Sequence, residues 1–149
     1  MVDIYPKLKR SEIMSRIRGR DNETTEQRMT SLFKTCRITG WRRNFVLFGK
    51  PDFVFRGARV AVFVDGCFWH GCPKPKHAPQ PKSRTEWWAN KLARNRARDL
   101  LVNRTLRKSG WSVVRVWECD LAKAGNWPKI TARIKSALRR RHKQKLIGN

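Results

Sequence analysis

Acidic residues are scarce in this chain. Its 149 residues include 11 Asp and Glu against 35 Lys and Arg, for a formal net charge of +24. A surface this basic repels itself unless polyanions neutralise it. The imbalance excludes an acid-rich binding module and argues against an ordinary metabolic enzyme. It points to nucleic acid as partner, with an anionic membrane surface as the weaker second choice. Long apolar runs are also missing. None approaches the ~18 residues that would suggest a transmembrane helix, and the N-terminal MVDIYPKLKRSEIMSRIRGR lacks the apolar stretch of a signal peptide. A cytoplasmic location is therefore expected. Disorder is excluded by a 40% hydrophobic content with seven Trp. Cysteines number four: Cys36, Cys67, Cys72 and Cys119. In a reducing compartment, a cluster such as Cys67 and Cys72 points to a metal rather than a disulfide.

What is present reads as one domain over 1–149, with a basic N-terminal arm at 1–20 and a basic C-terminal tail at 139–149. No internal repeat or linker interrupts it. Ser11 can cap a short helix over 12–18 that Gly19 ends. A second helix is expected from Glu26 to Arg37, with Met29, Leu32, Phe33 and Cys36 at helical spacing and Gly40 closing it. β-like runs follow at Trp41–Phe45, Phe53–Phe55 and Val60–Val64, with Arg56-Gly57 marking a tight hairpin. The apolar run at 60–64 suits a central strand covered on both faces. Residues 65–82 read as an irregular loop, 83–108 as a long helix, Trp111–Trp117 as a strand, and 128–141 as a last helix with Pro128 in its first turn. The RRRHKQK tail is expected to fray. A strand at 112–117 can pair parallel to a hairpin strand through the long crossover helix. The fold class is thus α/β or α+β: a small mixed β-sheet flanked by helices.

Two constellations carry chemistry. Cys67, Cys72, His77 and Cys119 form a Cys3His set fit for tetrahedral, structural Zn2+. Three of the four lie in a loop with few apolar residues to fold around. The bland alternative makes Cys119 a core thiol and His77 a surface histidine. The second constellation is acidic. Asp52 opens the first hairpin strand and Asp65 ends the second, so the two meet at one edge of the sheet. Paired carboxylates beside phosphate suit Mg2+-dependent phosphodiester hydrolysis. His70, five residues on, is a candidate general base, and Glu26 can approach the same edge. Read singly, Asp52 after Pro51 and Asp65 before Gly66 are also ordinary turn chemistry.

Aromatics in a cation-rich setting can stack on bases or wedge between base steps. Phe68, Trp69, Trp87 and Trp88 qualify, although one of the pair Trp87 and Trp88 is expected in the core. Lys91, Arg94, Asn95 and Arg98 share a helix face suited to phosphates, or simply to solvent.

The motifs GKPDF (49–53), VFVDGCFWHGC (62–72), TEWW (85–88), N-x2-RD (95–99) and GW-x5-WEC (110–119) resemble the very short patch repair (Vsr) DNA mismatch endonucleases, in order and spacing, over about 11–122. The resemblance implies a restriction-endonuclease-like core with structural zinc. It implies a strand-specific nick beside the T of a T:G mismatch, the product of 5-methylcytosine deamination. Carried onto this chain, it makes Asp52 a Mg2+ ligand, Val64 a ligand through its backbone carbonyl, His70 the general base and Glu26 an active-site acid. Asp65 falls where some members carry His and others Asp. Phe68, Trp69 and Trp88 match aromatics that intercalate beside the mismatch, and Met14 a residue reaching in from the minor groove. Lys91 and Asn95 match contacts near the mispair, and Cys67, Cys72, His77 and Cys119 occupy the zinc region. The implied partner is double-stranded DNA with a T:G mismatch, bound by a monomer that associates with the nucleoid when acting, with mismatch-repair proteins as further candidates. A zinc-stabilised DNA-binding protein without catalysis and a double-strand-cutting restriction-type nuclease are the rival readings.

Overall fold

The computed structural model describes residues 25–74 and 81–147. Helix α1 covers 25–35. Strands β1 (Phe53–Phe55) and β2 (Val60–Asp65) follow, then the short helix α2 (Cys67–His70) and the long helix α3 (Thr85–Lys108). Strand β3 (Ser112–Trp117), a one-turn helix α4 (Glu118–Leu121), a 3-10 turn at Ala124–Asn126 and helix α5 (Trp127–Ile147) complete the order.

The sheet runs β1-β2-β3. β1 and β2 are antiparallel, with Phe53 opposite Val62, while β2 and β3 are parallel, with Asp65 opposite Trp117. The apolar β2 is thus the middle strand, and α3 makes the crossover that a parallel pair requires. Alternation along β2 builds two cores. Val60 and Val62 face Met29, Leu32 and Phe33 of α1 and Ile130, Ile134 and Ala137 of α5. Ala61 and Phe63 face Val102 and Leu106 of α3. The same parity carries Asp65 to the α3 side, where the sheet ends and the α3 stripe turns from apolar to polar.

Several expectations change. Trp41–Phe45 is not a strand: one isolated bridge joins Arg42 to Val54, and Trp41 instead stacks on Phe33 at 5.5 Å between ring centroids. The hairpin turn spans 56–59, and its left-handed residue is Arg59 (φ 49°) rather than Gly57. The stretch expected as loop holds α2, which ends at left-handed Gly71 (φ 69°). α3 begins at Thr85, and α5 begins one residue before Pro128 and remains helical to Ile147, through the tail expected to fray. No helix among the described residues is long and apolar enough to cross a membrane.

Candidate functional site

A cavity of about 340 Å³ opens at the Asp65 end of the sheet. β1 enters it at Asp52, β2 leaves it at Val64 and Asp65, α2 contributes Trp69 and His70, and α3 contributes Lys91, Asn95, Arg98 and Asp99. The antiparallel register makes this meeting unavoidable. Phe53 pairs with Val62, so the residue before Phe53 lies beside the end of β2. Asp52 Oδ2 accepts a hydrogen bond from the Val64 amide at 2.7 Å. Among the described residues Asp52 forms no ion pair, and burial pushes its carboxyl above the usual carboxylate range against the pull of that amide. Burial raises Asp65 as well, opposed by Arg115.

His70 donates or accepts through Nδ1 to Asp99 Oδ2 at 2.6 Å, and its Nδ1 lies 3.8 Å from Asp65 Oδ1. With Nδ1 engaged, Nε2 is the nitrogen left for other work. Arg115 of β3 ties the acids together. Its Nη1 donates to Asp65 Oδ1 at 2.7 Å and lies 3.5 Å from Asp99 Oδ1, its Nε donates to Asn103 at 2.8 Å, and its guanidinium sits 4.5 Å from the Phe63 ring centroid. Asp99 and Arg115 are not singled out by spacing or composition alone. Asp99 stood inside the N-x2-RD motif, one helical turn after Asn95. Arg115 is the single charge in the otherwise apolar run VVRVW, and that break in pattern was the available signal.

Glu26 does not line this cavity. It pairs with Arg43 and lines a neighbouring cavity of about 380 Å³ with Asn44–Leu47, Lys50, Pro51 and Asp52. Lys50 and Asp52 border both spaces.

Phe68, Trp69 and Trp88 form one cluster, with centroid separations of 5.0–5.9 Å, and Trp87 packs edge-on to Trp88 at 4.9 Å. Neither Trp87 nor Trp88 is in the core, contrary to expectation: Trp87 is 44% exposed and Trp88 is half-buried. The first turn of α3 packs on α2 instead, where Trp88 meets Phe68 and Trp69. Asn95 Nδ2 donates to the Trp69 carbonyl at 3.1 Å, holding α2 against α3. Lys91 lines the cavity and lies 5.5 Å from the Trp87 ring centroid. Arg94 is exposed and does not line the cavity.

Cys67, Cys72 and Cys119 are buried together, their sulfurs within 4.8 Å of one another. Cys72 and Cys119 Sγ are 3.8 Å apart, close to the ~3.7 Å that two thiolates reach on one tetrahedral zinc at Zn–S ~2.3 Å. Burial pushes the Cys67 thiol up to about 12 and raises Cys119 too. A bound cation would reverse that cost, so the donor set fits a metal. Glu118 Oε2 accepts from the Cys67 amide at 3.3 Å, which joins the start of α2 to the element carrying Cys119. Cys36 is half-buried and its Sγ accepts from Thr131 Oγ1 at 3.3 Å. His77 and Met14 lie outside the described residues.

Comparison with known proteins follows the same lines. The family model for the DNA mismatch endonuclease Vsr matches residues 2–74, a stretch that takes in Asp52, Asp65, Cys67, His70 and Cys72. The type II nicking enzyme V.XorIIP of Xanthomonas oryzae pv. oryzae (strain KACC10331 / KXO85) is 34% identical over 140 residues, 93% of this chain and 98% of that protein. The DNA mismatch endonuclease Vsr of Escherichia coli (strain K12) is 37% identical over 123 residues, 81% of this chain and 76% of that protein. With the type II nicking enzyme V.NaeI of Lentzea aerocolonigenes the identity is 54% over 69 residues, 46% of this chain and 40% of that protein, so this match spans less than half of either. The chain belongs to the Vsr family of DNA mismatch endonucleases and is a nuclease acting on DNA.

Proposed function

We propose that the chain is a Mg2+-dependent enzyme that nicks one DNA strand beside the T of a T:G mismatch, on a restriction-endonuclease-like core braced by structural Zn2+. The observation that carries this is the convergence of Asp52, Val64, Asp65 and the His70–Asp99 pair on one cavity. Asp52 is a desolvated carboxylate that forms no ion pair among the described residues, and it fits a hard cation that prefers oxygen. Asp52, the Val64 carbonyl and Asp65 would hold Mg2+, which when bound supplies positive charge for the phosphate and for the departing oxygen.

The chain's own groups do the rest. Asp99 holds His70 by Nδ1, which leaves Nε2 as the ring nitrogen available to this cavity-lining residue. There Nε2 can take a proton from the attacking water. Arg115 keeps Asp65 and Asp99 side by side despite their like charge. Lys91 and Arg98 line the rim and suit phosphate oxygens. Phe68, Trp69 and Trp88 present a packed aromatic surface to a base step, and a mispair is the step that costs least to unstack. Glu26 acts from its neighbouring cavity by holding Arg43, with Lys50 and Asp52 shared between the two spaces. Zn2+ would sit on Cys67, Cys72 and Cys119 with His77 as the fourth ligand, closing the site and fixing α2, and with it His70, to the end of β3.

The test compares wild type with Asp52→Asn on a duplex carrying one T:G mismatch in a methylation-site context. Nicking by wild type with Mg2+, none in chelator and none by the variant is expected. Equal nicking by the variant removes Asp52 from the site.

A further inference from the structure

The loop at 44–50 alternates as a strand would, without being one. Phe45 packs on Trp111 at 6.2 Å between centroids, and Leu47 packs into the cluster of Ala61, Phe63, Val102 and Leu106. Between and after them, Val46 is 95% exposed and Phe48 is 52% exposed. Large apolar side chains held out in solvent carry no stabilising role and mark interaction sites when they cluster. These two are not loosely presented. The Lys50 amide donates to the Leu47 carbonyl at 3.0 Å, Gly49 (φ 80°) and Lys50 (φ 52°) take left-handed conformations, and Gly49 rests directly on Val102 of α3. The turn is thus locked against the longest helix, with its apolar tips left exposed.

Charge identifies the occupant. Arg42 and Lys50 flank the tips, Arg43 beside them is already paired with Glu26, and no Asp or Glu occurs from 27 to 51. A protein surface would need acidic groups to meet these cations, whereas a duplex offers phosphates for them and sugar or base edges for the tips. Position agrees with this. Lys50 lines both the carboxylate cavity and the neighbouring one, so the loop continues the rim of the candidate site. The aromatic cluster reaches the other side of that rim from Trp88. Fourteen residues of α3 separate Trp88 from Val102, which at ~1.5 Å per residue is ~21 Å, or about six base pairs at ~3.4 Å each.

We propose that Val46 and Phe48 form a second DNA-contacting element, an apolar clamp that engages the duplex about six base pairs from the aromatic cluster, on the far side of the scissile phosphate. This rests on the endonuclease reading above and adds a subsite to it. It predicts that affinity depends on duplex length on one side of the mismatch, through these two side chains.

The experiment measures equilibrium binding of wild type and of a V46S/F48S double variant to T:G duplexes trimmed stepwise from either end. Thermal unfolding of both proteins is measured alongside, and because both side chains are exposed, equal midpoints are expected. Full-length duplex should bind the double variant about tenfold more weakly, the scale expected from losing partial burial of two apolar side chains. Trimming one end to fewer than about six base pairs should weaken wild type to the variant's level and leave the variant unchanged. Equal affinity of the two proteins for every duplex overturns the clamp while leaving the endonuclease reading intact. A constant deficit at all lengths also overturns it, since the loss then does not depend on the flank. If wild type binds no duplex at all, the endonuclease reading falls and the clamp falls with it.

Discussion

Gly49→Ala is the sharpest single perturbation that the structure offers. Gly49 has φ 80°, and a Cβ built there would overlap the Cγ1 methyl of Val102 and lie 3.0 Å from Cγ2. The backbone term, an L residue in the left-handed region, costs about 1–2 kcal/mol. The steric term costs about 1–3 kcal/mol, and Val102 cannot swing aside cheaply because a β-branched residue inside a helix is held to one rotamer. Together these give about 2–5 kcal/mol, a large share of the ~5–15 kcal/mol that holds a domain of this size. Chemical denaturation of Gly49→Ala, Val102→Ala and the double variant separates the two terms. Val102→Ala removes the methyls that clash, so the double variant should be more stable than the sum of the singles by about 1–3 kcal/mol. The backbone term should persist in it. Additivity within about 0.5 kcal/mol would show that the two residues do not press on each other, and the account of a loop locked on α3 would be refuted.

Three further outcomes are expected. Asp52→Asn should raise the melting temperature of the metal-free protein at neutral pH while abolishing cleavage, because burial disfavours the charged carboxylate and Asn keeps an acceptor for the Val64 amide. The sign follows from linkage: a folded carboxyl raised above its unfolded value stabilises at low pH and loses that contribution as pH rises through it, so the gain in Tm should shrink below the usual carboxylate range, and a variant less stable than wild type at neutral pH would contradict it. Asp99→Asn should slow single-turnover nicking by roughly 100-fold or more at saturating duplex and Mg2+, as expected when a general base loses its orienting partner, and a slowdown under about threefold would place Asp99 outside the reaction. Extraction of zinc, checked by metal analysis, should lower Tm and expose the 67–72 segment to protease, with Cys119→Ser reproducing both effects; unchanged stability after verified loss of the metal would make the three buried thiols ordinary core.

Much of this is legible in the sequence. The apolar run at 60–64 signalled a middle strand because only such a strand dispenses with a polar face, and the hairpin register then brought Asp52 to the end of β2 of necessity. Cys67, Cys72 and Cys119 converge as their spacing around one loop and one strand end suggested. Harder to read were features set by tertiary packing. Trp41 has the composition of a strand residue but is drawn into the Phe33–Phe53 aromatic cluster. Adjacent helix positions point about 100° apart, which suggested that one of Trp87 and Trp88 is core, yet Trp88 packs on Phe68 and Trp69 of α2 and Trp87 on Trp88. Asp99 and Arg115 lie 16 residues apart in sequence and meet only because α3 crosses over β3. The position of Glu26 depends on Arg43, which lies in a stretch that reads as a strand but folds as an irregular loop.

Whether one cavity, built from Asp52, the end of β2 and the His70–Asp99 pair, cuts one strand of mismatched DNA is read from strand-resolved mapping of products from duplexes labelled separately on each strand, T:G against T:A, with Mg2+. A single nick on the T strand at the mismatch, little cleavage of the matched duplex, and loss of the product in His70→Ala are expected. Cuts on both strands, or equal cleavage of the matched duplex, would contradict it.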